Sequence, residues 1–384
     1  MYFQNKTLIL ANLLIIVLIL DLLIIFSMKI FLISNMFPSK KDQLFGVFVK
    51  NFKLELERQN VIFSEESLIK GRSISLVKKT EKYILHYLSI IKNFIFGSYD
   101  IIYIHYLAHH IPILLLLLPF KRKKWVINTH GNDVLSIEKN SLLKKISNVL
   151  LKNIDLIIVP SSYFEKVLLD NYHFLKKEDI FISPSGGIDT TIFHPKENTK
   201  LFKEKIHLGF VSRFIKEKGW KTFLEALVLL KNNNISFSAT IAGKGPDEEE
   251  IKKFIRNNNL TEINFLGFVE QRSLADLYSQ FDLYIFPTLS DSLGLTGLEA
   301  MACGTPVVST NSTGPSTYIQ SEINGYLFEP KDDSQLTSCI KKFFNLNKFD
   351  KNLMSQKALE TANYYEKNLV TKKLIERLRI LISI

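Results

Sequence analysis

Cysteine is scarce in this chain. Its 384 residues hold only Cys303 and Cys339. That excludes a disulfide framework and suits a reducing cytoplasm. The ordinary role of a lone free thiol such as Cys303 is small, buried packing. There is no Cys-x-x-Cys pair, no His/Cys cluster and no HExxH run, so nothing points to zinc. Glycine is sparse where a dinucleotide fold would need it. After a first apolar run ending at Ser34, the stretch NMFPSKKDQLFG holds one glycine in place of Gly-x-Gly-x-x-Gly. A classical nicotinamide dehydrogenase is therefore disfavoured. The sequence also lacks a Walker motif, an Asp-x-Asp pair, an internal repeat, a low-complexity tract and any known nucleic-acid motif.

What is present is apolar and basic. The apolar fraction is 46%, enough for two cores, and the length makes two domains the natural prior. The net charge is +11, and the excess lies in residues 28–200, while residues 201–384 are near balance. Such a half suits an acidic partner, anionic lipid headgroups or a lipid diphosphate before nucleic acid; a Lys-rich composition with solvated lysines is the plainer alternative. Residues 1–27 stand apart from the fold. Leu8 to Phe26 is almost wholly apolar and long enough to cross a bilayer. It reads as a membrane anchor, or as an upstream extension with Met28 as the start. Asp21 inside the span opposes insertion by about 2.5–3.5 kcal/mol. No small-x-small cleavage site follows, which disfavours a signal peptide.

From Lys29 onward, short apolar runs alternate with helical patterns, the mark of a parallel α/β sheet. Strands are expected at Lys29–Ser34, Asp100–His105, Trp125–Thr129, Ile154–Pro160 and Ile180–Pro184. Helices are expected from about Val47 to Gln59 and from Ile111 to Pro119, and Ser161 and Ser162 are placed to cap another. The polar stretch 196–205 reads as a linker. The alternation then restarts with strands at His207–Ser212, Phe237–Ala242, Ile263–Leu266, Leu283–Pro287 and Pro306–Ser309, and a helix at Trp220–Asn232. Amphipathic helices close the chain from about Leu353 to Leu381. Two similar α/β halves imply a cleft between them, a common ligand position.

The richest stretch is Asp291 to Val308, DSLGLTGLEAMACGTPVV. Two carboxylates, Asp291 and Glu299, flank a glycine turn that leads into a small-residue helix. A helix start offers free N–H groups to an anion, and carboxylates beside it accept hydrogen bonds from hydroxyls. One corner thus suits a phosphate and a sugar together. Arg213 and Lys218, in VSRFIKEKG after a strand end, are two cations able to neutralise a diphosphate.

The Asp291–Val308 segment resembles the signature of retaining glycosyltransferases of family 4, which have the GT-B fold. That signature is a Glu, seven residues including Phe-Gly, a second Glu, then Ala-Met-Ala-x-Gly-x-Pro-Val-Val. Two positions depart: Asp291 replaces the first Glu, and Leu293 replaces Phe. MKIFLISNMFPS from Met28 looks like a complete family start, and the resemblance spans about residues 28–375.

The resemblance implies two Rossmann-like domains, an acceptor-binding one over 28–200 and a nucleotide-sugar-binding one over 201–365. It also implies a final helix, 366–384, that crosses back to the first domain. It implies transfer of a sugar from a UDP- or GDP-sugar to a glycan or lipid-linked acceptor, with retention. No metal or other cofactor is expected. Arg213 and Lys218 would clamp the diphosphate, and the backbone of Gly294, Leu295 and Thr296 would meet the sugar and β-phosphate. Glu299 would accept from the ribose, or else simply complement its helix dipole. Asp291 would accept from a donor-sugar hydroxyl, or is a plain loop residue. His130, in NTHGND, would lie over the donor sugar, or is a structural strand-end histidine. Phe268 and Val269 would hold the nucleobase by backbone contacts, or are core. Gly46 would let backbone approach the diphosphate or acceptor, or is an ordinary turn. His105 is a family position or a core histidine; Gly243 and Gly245 read as turn glycines.

Family habit also implies cell-surface polysaccharide synthesis at the inner face of the plasma membrane, with the Ile111–Pro119 helix resting on an anionic bilayer or serving as core. Two other readings stay open: a nucleotide-sugar 2-epimerase, and a non-catalytic sugar-nucleotide-binding partner of another transferase.

Overall fold

The computed structural model describes residues 28–73, 75–138, 141–196 and 205–383. The apolar segment 8–26, and all of the expected linker but its two end residues, lie outside the described residues. Among the described residues no helix is long and apolar enough to cross a membrane.

The chain alternates strand and helix. The first part runs β1 (Lys29–Phe37), α1 (Val47–Arg58), β2 (Ile62–Lys70), α2 (Leu76–Phe96), β3 (Ile101–His105), α3 (Ile111–Leu117), β4 (Lys124–Asn128), α4 (Asn132–Glu138), α5 (Ser141–Leu151), β5 (Leu156–Val159), α6 (Ser162–Asn171) and β6 (Ile180–Ile182). The second runs β7 (Ile206–Val211), α7 (Trp220–Asn232), β8 (Phe237–Ala242), α8 (Glu248–Asn257), β9 (Ile263–Gly267), α9 (Gln271–Gln280), β10 (Leu283–Phe286), α10 (Leu295–Ala302), β11 (Val307–Thr310), β12 (Gly325–Phe328), α11 (Asp333–Asn345), α12 (Lys348–Asn363) and α13 (Lys367–Ser383).

Among the described residues, twelve strands make two six-stranded sheets, ordered β2-β1-β3-β4-β5-β6 and β12-β11-β10-β7-β8-β9. Ladders such as β1–β3 and β7–β8 are parallel and in straight register. Their central strands are covered on both faces, so they read as continuous apolar runs rather than alternating ones. All five residues of β3 and all four of β10 are buried. In the second sheet's core, Phe210 of β7 stacks on Phe223 of α7 with ring centroids 5.4 Å apart.

The described residues form two compact units. One takes in 28–128, 145–156 and 375–383; the other takes in Thr129–Lys144 and Ile157–Leu374.

The structure adds elements that the apolar pattern did not announce. β2 carries Glu65 and Glu66 mid-strand because it is an edge strand, and α2 follows it. The helix expected at Ile111–Pro119 is α3 plus a short 3-10 turn, Leu118–Phe120. Ile111, Ile113, Leu114 and Leu117 of α3 are buried, so one side of it is core, while Leu116 and the following Phe120 are exposed.

Candidate active site

The second sheet reverses its strand order beside its own first strand. β8 and β9 lie to one side of β7, and β10, β11 and β12 to the other. In open parallel sheets a ligand crevice opens at such a reversal, beyond the carboxyl ends of the strands. Here those ends are the β7 loop, with Arg213 and Lys218, and the β10 loop, with Asp291. The two loops are stitched together. Leu289 N–H donates to the Glu217 carbonyl at 2.8 Å. Gly219, at φ 71°, packs so tightly that a Cβ would lie 1.9 Å from the Pro287 carbonyl oxygen. Lys218 Nζ bonds Asp291 Oδ2 at 2.5 Å and also reaches the Ser290 carbonyl at 3.3 Å. The Arg213 side chain is exposed.

The β10 loop then turns into α10 through Gly294, whose φ is 84°. Only glycine holds that left-handed geometry without strain, and a Cβ there would sit 2.6 Å from Phe286 Cε1 and 2.7 Å from Pro315 Cγ. The turn is braced from behind: Tyr318 Oη donates to the Gly294 carbonyl at 2.9 Å, and Gly314 N–H to the Asp291 carbonyl at 3.0 Å. No side chain caps α10; Gly297 N–H turns back to the Gly294 carbonyl at 3.0 Å, and the amides of Leu295 and Thr296 at the helix start face the hollow's side of the turn, where an anion can take them. A hollow of about 270 Å³ lies here, lined by Arg213, Lys218, Asp291, Gly294, Leu295 and Thr296, with Ser185, Ser212, Phe286, Ser292 and Leu293 completing the wall. Six of the residues expected from sequence therefore meet in one place.

Glu299 does not line this hollow. It stands one turn further along α10, half-buried, beside the buried rings of Tyr278 and Tyr284. Burial pushes its carboxyl up to about 8. The nearby Tyr278 hydroxyl offsets this only slightly, because it makes no hydrogen bond of good geometry.

His130 follows β4 in the same unit as the hollow. Its N–H donates to Asp133 Oδ1 at 2.9 Å, which fixes the turn into α4. Burial lowers the imidazole to about 4, so it is neutral at physiological pH. Its neighbour Gly131 touches the signature loop: a Cβ at Gly131 would lie 3.0 Å from Ser292 Cβ. Ser161 was expected to cap α6 with its side chain. Instead its Oγ donates to the Ser292 carbonyl at 2.8 Å, and α6 has no side-chain cap. The hydroxyl serves the signature loop, a contact 131 residues away in sequence that no local pattern announces.

Phe268 follows β9 and is 59% exposed, so it is not a core residue; the Lys244 ammonium lies 4.4 Å from its ring centroid. Val269 is half-buried against the core. Neither lines the hollow. Gly46 belongs to the first sheet. At φ 71° it packs on the end of β1, where a Cβ would meet the Met36 backbone at 2.4 Å. That sheet has its own reversal between β1 and β3. Near it sit groups that sequence reading passed over. Asn35 Oδ1 and His86 Nδ1 are buried without hydrogen-bond partners, and His86 Nε2 lies 3.0 Å from His110 Nε2.

The fold is that of the GT-B glycosyltransferases. Sucrose-phosphate synthase from Thermosynechococcus elongatus matches it with a TM-score of 0.74 at 17% identity, over 93% of this chain and all of that one. An Anabaena protein, HepE, in complex with UDP and glucose matches with 0.68 at 17%, over 92% of this chain and all of that one. A model named Glycosyltransferase Family 4 matches residues 55–224, and one named Glycosyl transferases group 1 matches residues 193–359. The chain belongs to the GT-B glycosyltransferases of the family 4 type. Among curated relatives, an uncharacterized glycosyltransferase of Methanocaldococcus jannaschii is 26% identical over 84% of this chain and 86% of its own length. N-acetyl-alpha-D-glucosaminyl L-malate synthase of Bacillus anthracis is 25% identical over 68% and 70%.

Proposed function

We propose that the protein transfers a sugar from a nucleotide sugar, with UDP or GDP as carrier, to a hydroxyl of a glycan or lipid-linked oligosaccharide, retaining anomeric configuration. The observation that carries this reading is the hollow at the second sheet's switch point, where two cations flank the uncapped start of α10. As the bond between the anomeric carbon and the diphosphate breaks, negative charge grows on the leaving oxygens. Arg213, Lys218 and the amides of Gly294, Leu295 and Thr296 stabilise it. The acceptor oxygen bonds the same face of the sugar, and its proton passes to a phosphate oxygen of the leaving group. Neutral His130 steadies the sugar, and Glu299 holds the ribose. Asp291 accepts from a sugar hydroxyl once the diphosphate has drawn Lys218 toward itself.

The UDP held by the structurally similar HepE supports a uridine carrier. Fixed side-chain cations and amides supply the charge that a metal would otherwise bring, so turnover is expected to be metal-independent. EDTA-treated protein that loses activity and regains it with Mn²⁺ would refute that element. The setting is cell-surface polysaccharide synthesis at the inner face of the plasma membrane.

The test is a donor panel read by thermal shift, then turnover with membrane extract and NMR of the product anomer. Nucleoside diphosphate released only with acceptor supports transfer. Donor isomerised without acceptor would make the protein an epimerase. Donor bound but never turned over would make it a non-catalytic binding subunit.

A further inference from the structure

Helix α2 is amphipathic the wrong way round for a globular surface. His86 and Ile90 are its only fully buried residues. Val77, Ile84, Leu88 and Ile95 recur at steps of seven, four and seven residues, which sets them in one line on a 3.6-residue helix. All four are 55–76% exposed. Exposed Leu85 and Phe96 widen the stripe. Scattered surface leucines are ordinary, but a continuous apolar stripe marks an interaction site.

At its C-terminal end the stripe runs into a hollow of about 520 Å³, lined by Ile91, Phe94, Ile95, Leu116, Phe120 and Arg122. Cations edge this face. In the run 121–124, Lys121 and Lys124 are engaged by Asp155, at 2.6 and 3.8 Å. Arg122 and Lys123 are left exposed, with no ion pair among the described residues, and Lys92 is likewise exposed on α2 itself. Glu81 is the acid on this side of the helix.

We propose that the outer face of α2, with Arg122 and Lys123, is where the protein docks on an anionic lipid surface, the apolar stripe entering the headgroup–acyl boundary. Charge complementarity selects this occupant. Apolar side chains in a line with unpaired cations beside them match a negatively charged interface. A second copy of the chain would bring the same cations against these, and like charges oppose that pairing. The surface centres on α2 and the 121–124 run, and of α3 it takes only the edge that carries exposed Leu116 beside the hollow. Docking here would bring the protein to a lipid-linked acceptor, but the inference needs no donor chemistry. Its failure would leave the transfer reading standing.

The test uses the full chain and large vesicles of phosphatidylglycerol or phosphatidylcholine, without donor. Sedimentation should show binding to phosphatidylglycerol that weakens with added salt. Arg122→Glu with Lys123→Glu should weaken partitioning by about fivefold or more per site. Leu88→Asp with Ile95→Asp should weaken it by about tenfold or more per site. A direct probe covers the case in which the double aspartate variant is unstable. Leu88→Trp should give indole emission that shifts to the blue on phosphatidylglycerol vesicles, against the constant background of buried Trp125 and Trp220. The proposal is overturned if all variants partition like the starting protein and the new indole stays in water, which would put any anchoring elsewhere, residues 8–26 included. It is equally overturned if the protein ignores vesicles and forms a dimer that the aspartate variant dissolves.

Discussion

At the scale of single residues, the site separates charges that are fixed from one that is poised. Arg213 is exposed and Lys218 is held by Asp291. If they stabilise the leaving diphosphate, Arg213→Ala should lower kcat by about 10²–10³-fold while leaving the melting temperature nearly unchanged, because the side chain is exposed. Turnover equal to the unaltered protein would remove Arg213 from the phosphate clamp. Glu299 is the poised group. Burial raises its pKa from 4.5 to about 8 in the folded chain. Between those values the folded state holds a proton that the unfolded state has lost. Stability is therefore full at acid pH and falls as pH rises through 8. Glu299→Gln removes this titration, so its melting temperature should gain on that of the unaltered protein from pH 5 to pH 9. A pH-independent gap between the two would contradict the raised pKa. If Glu299 holds the ribose as proposed, the donating hydroxyls favour its ionised form, and nucleotide binding should release a proton near pH 7. Calorimetry in buffers of different ionisation enthalpy reads that release.

Elements show why part of this molecule was legible in its sequence and part was not. The corner from β10 to α10 is contiguous, and its glycine, helix start and carboxylates each obey a local rule, so Asp291 to Glu299 could be read in order. Arg213 and Lys218 follow another strand end in the same way. What sequence could not supply is contact across distance. It placed Ser161 at a helix cap, where the structure gives the hydroxyl to Ser292. It could not rank Asn35 or His86, each of which buries one polar atom, Oδ1 and Nδ1, without a hydrogen bond. It offered α3 both as core and as a bilayer face, because an apolar run does not say which side is covered. The exposed stripe lies on α2, a helix the apolar pattern did not announce. The corner itself yields a test. Gly294→Ala forces a side chain into a left-handed turn, at a cost of about 1–2 kcal/mol, and drives its Cβ against Phe286 and Pro315. The variant should melt lower and lose donor binding together. Ser161→Ala removes one hydrogen bond from the same loop and should cost only about 1 kcal/mol. If Gly294→Ala bound donor normally, the turn would not be what shapes the hollow.

For the whole molecule, the residues that form the hollow, and His130 with them, all fall in the unit made of Thr129–Lys144 and Ile157–Leu374. A ligand that binds there binds folded chain only, so it must raise that unit's stability by mass action. The gain is about 2.7 kcal/mol at a hundredfold excess over Kd, a shift of several degrees for a unit of this size. The proposed recognition also says which part of the ligand brings the gain. Two cations and the α10 amides address the diphosphate, whereas Phe268 and Val269 stand outside the hollow and can add only the base. UDP should therefore shift the melt, inorganic pyrophosphate should reproduce a substantial part of that shift at higher concentration, and uridine alone should do little. Arg213→Ala should erase the pyrophosphate shift while sparing the unliganded melt. A protein stabilised by uridine and indifferent to pyrophosphate would mean that the hollow at the second sheet's switch point is not a phosphate site, and the transfer mechanism built on it would have to be abandoned.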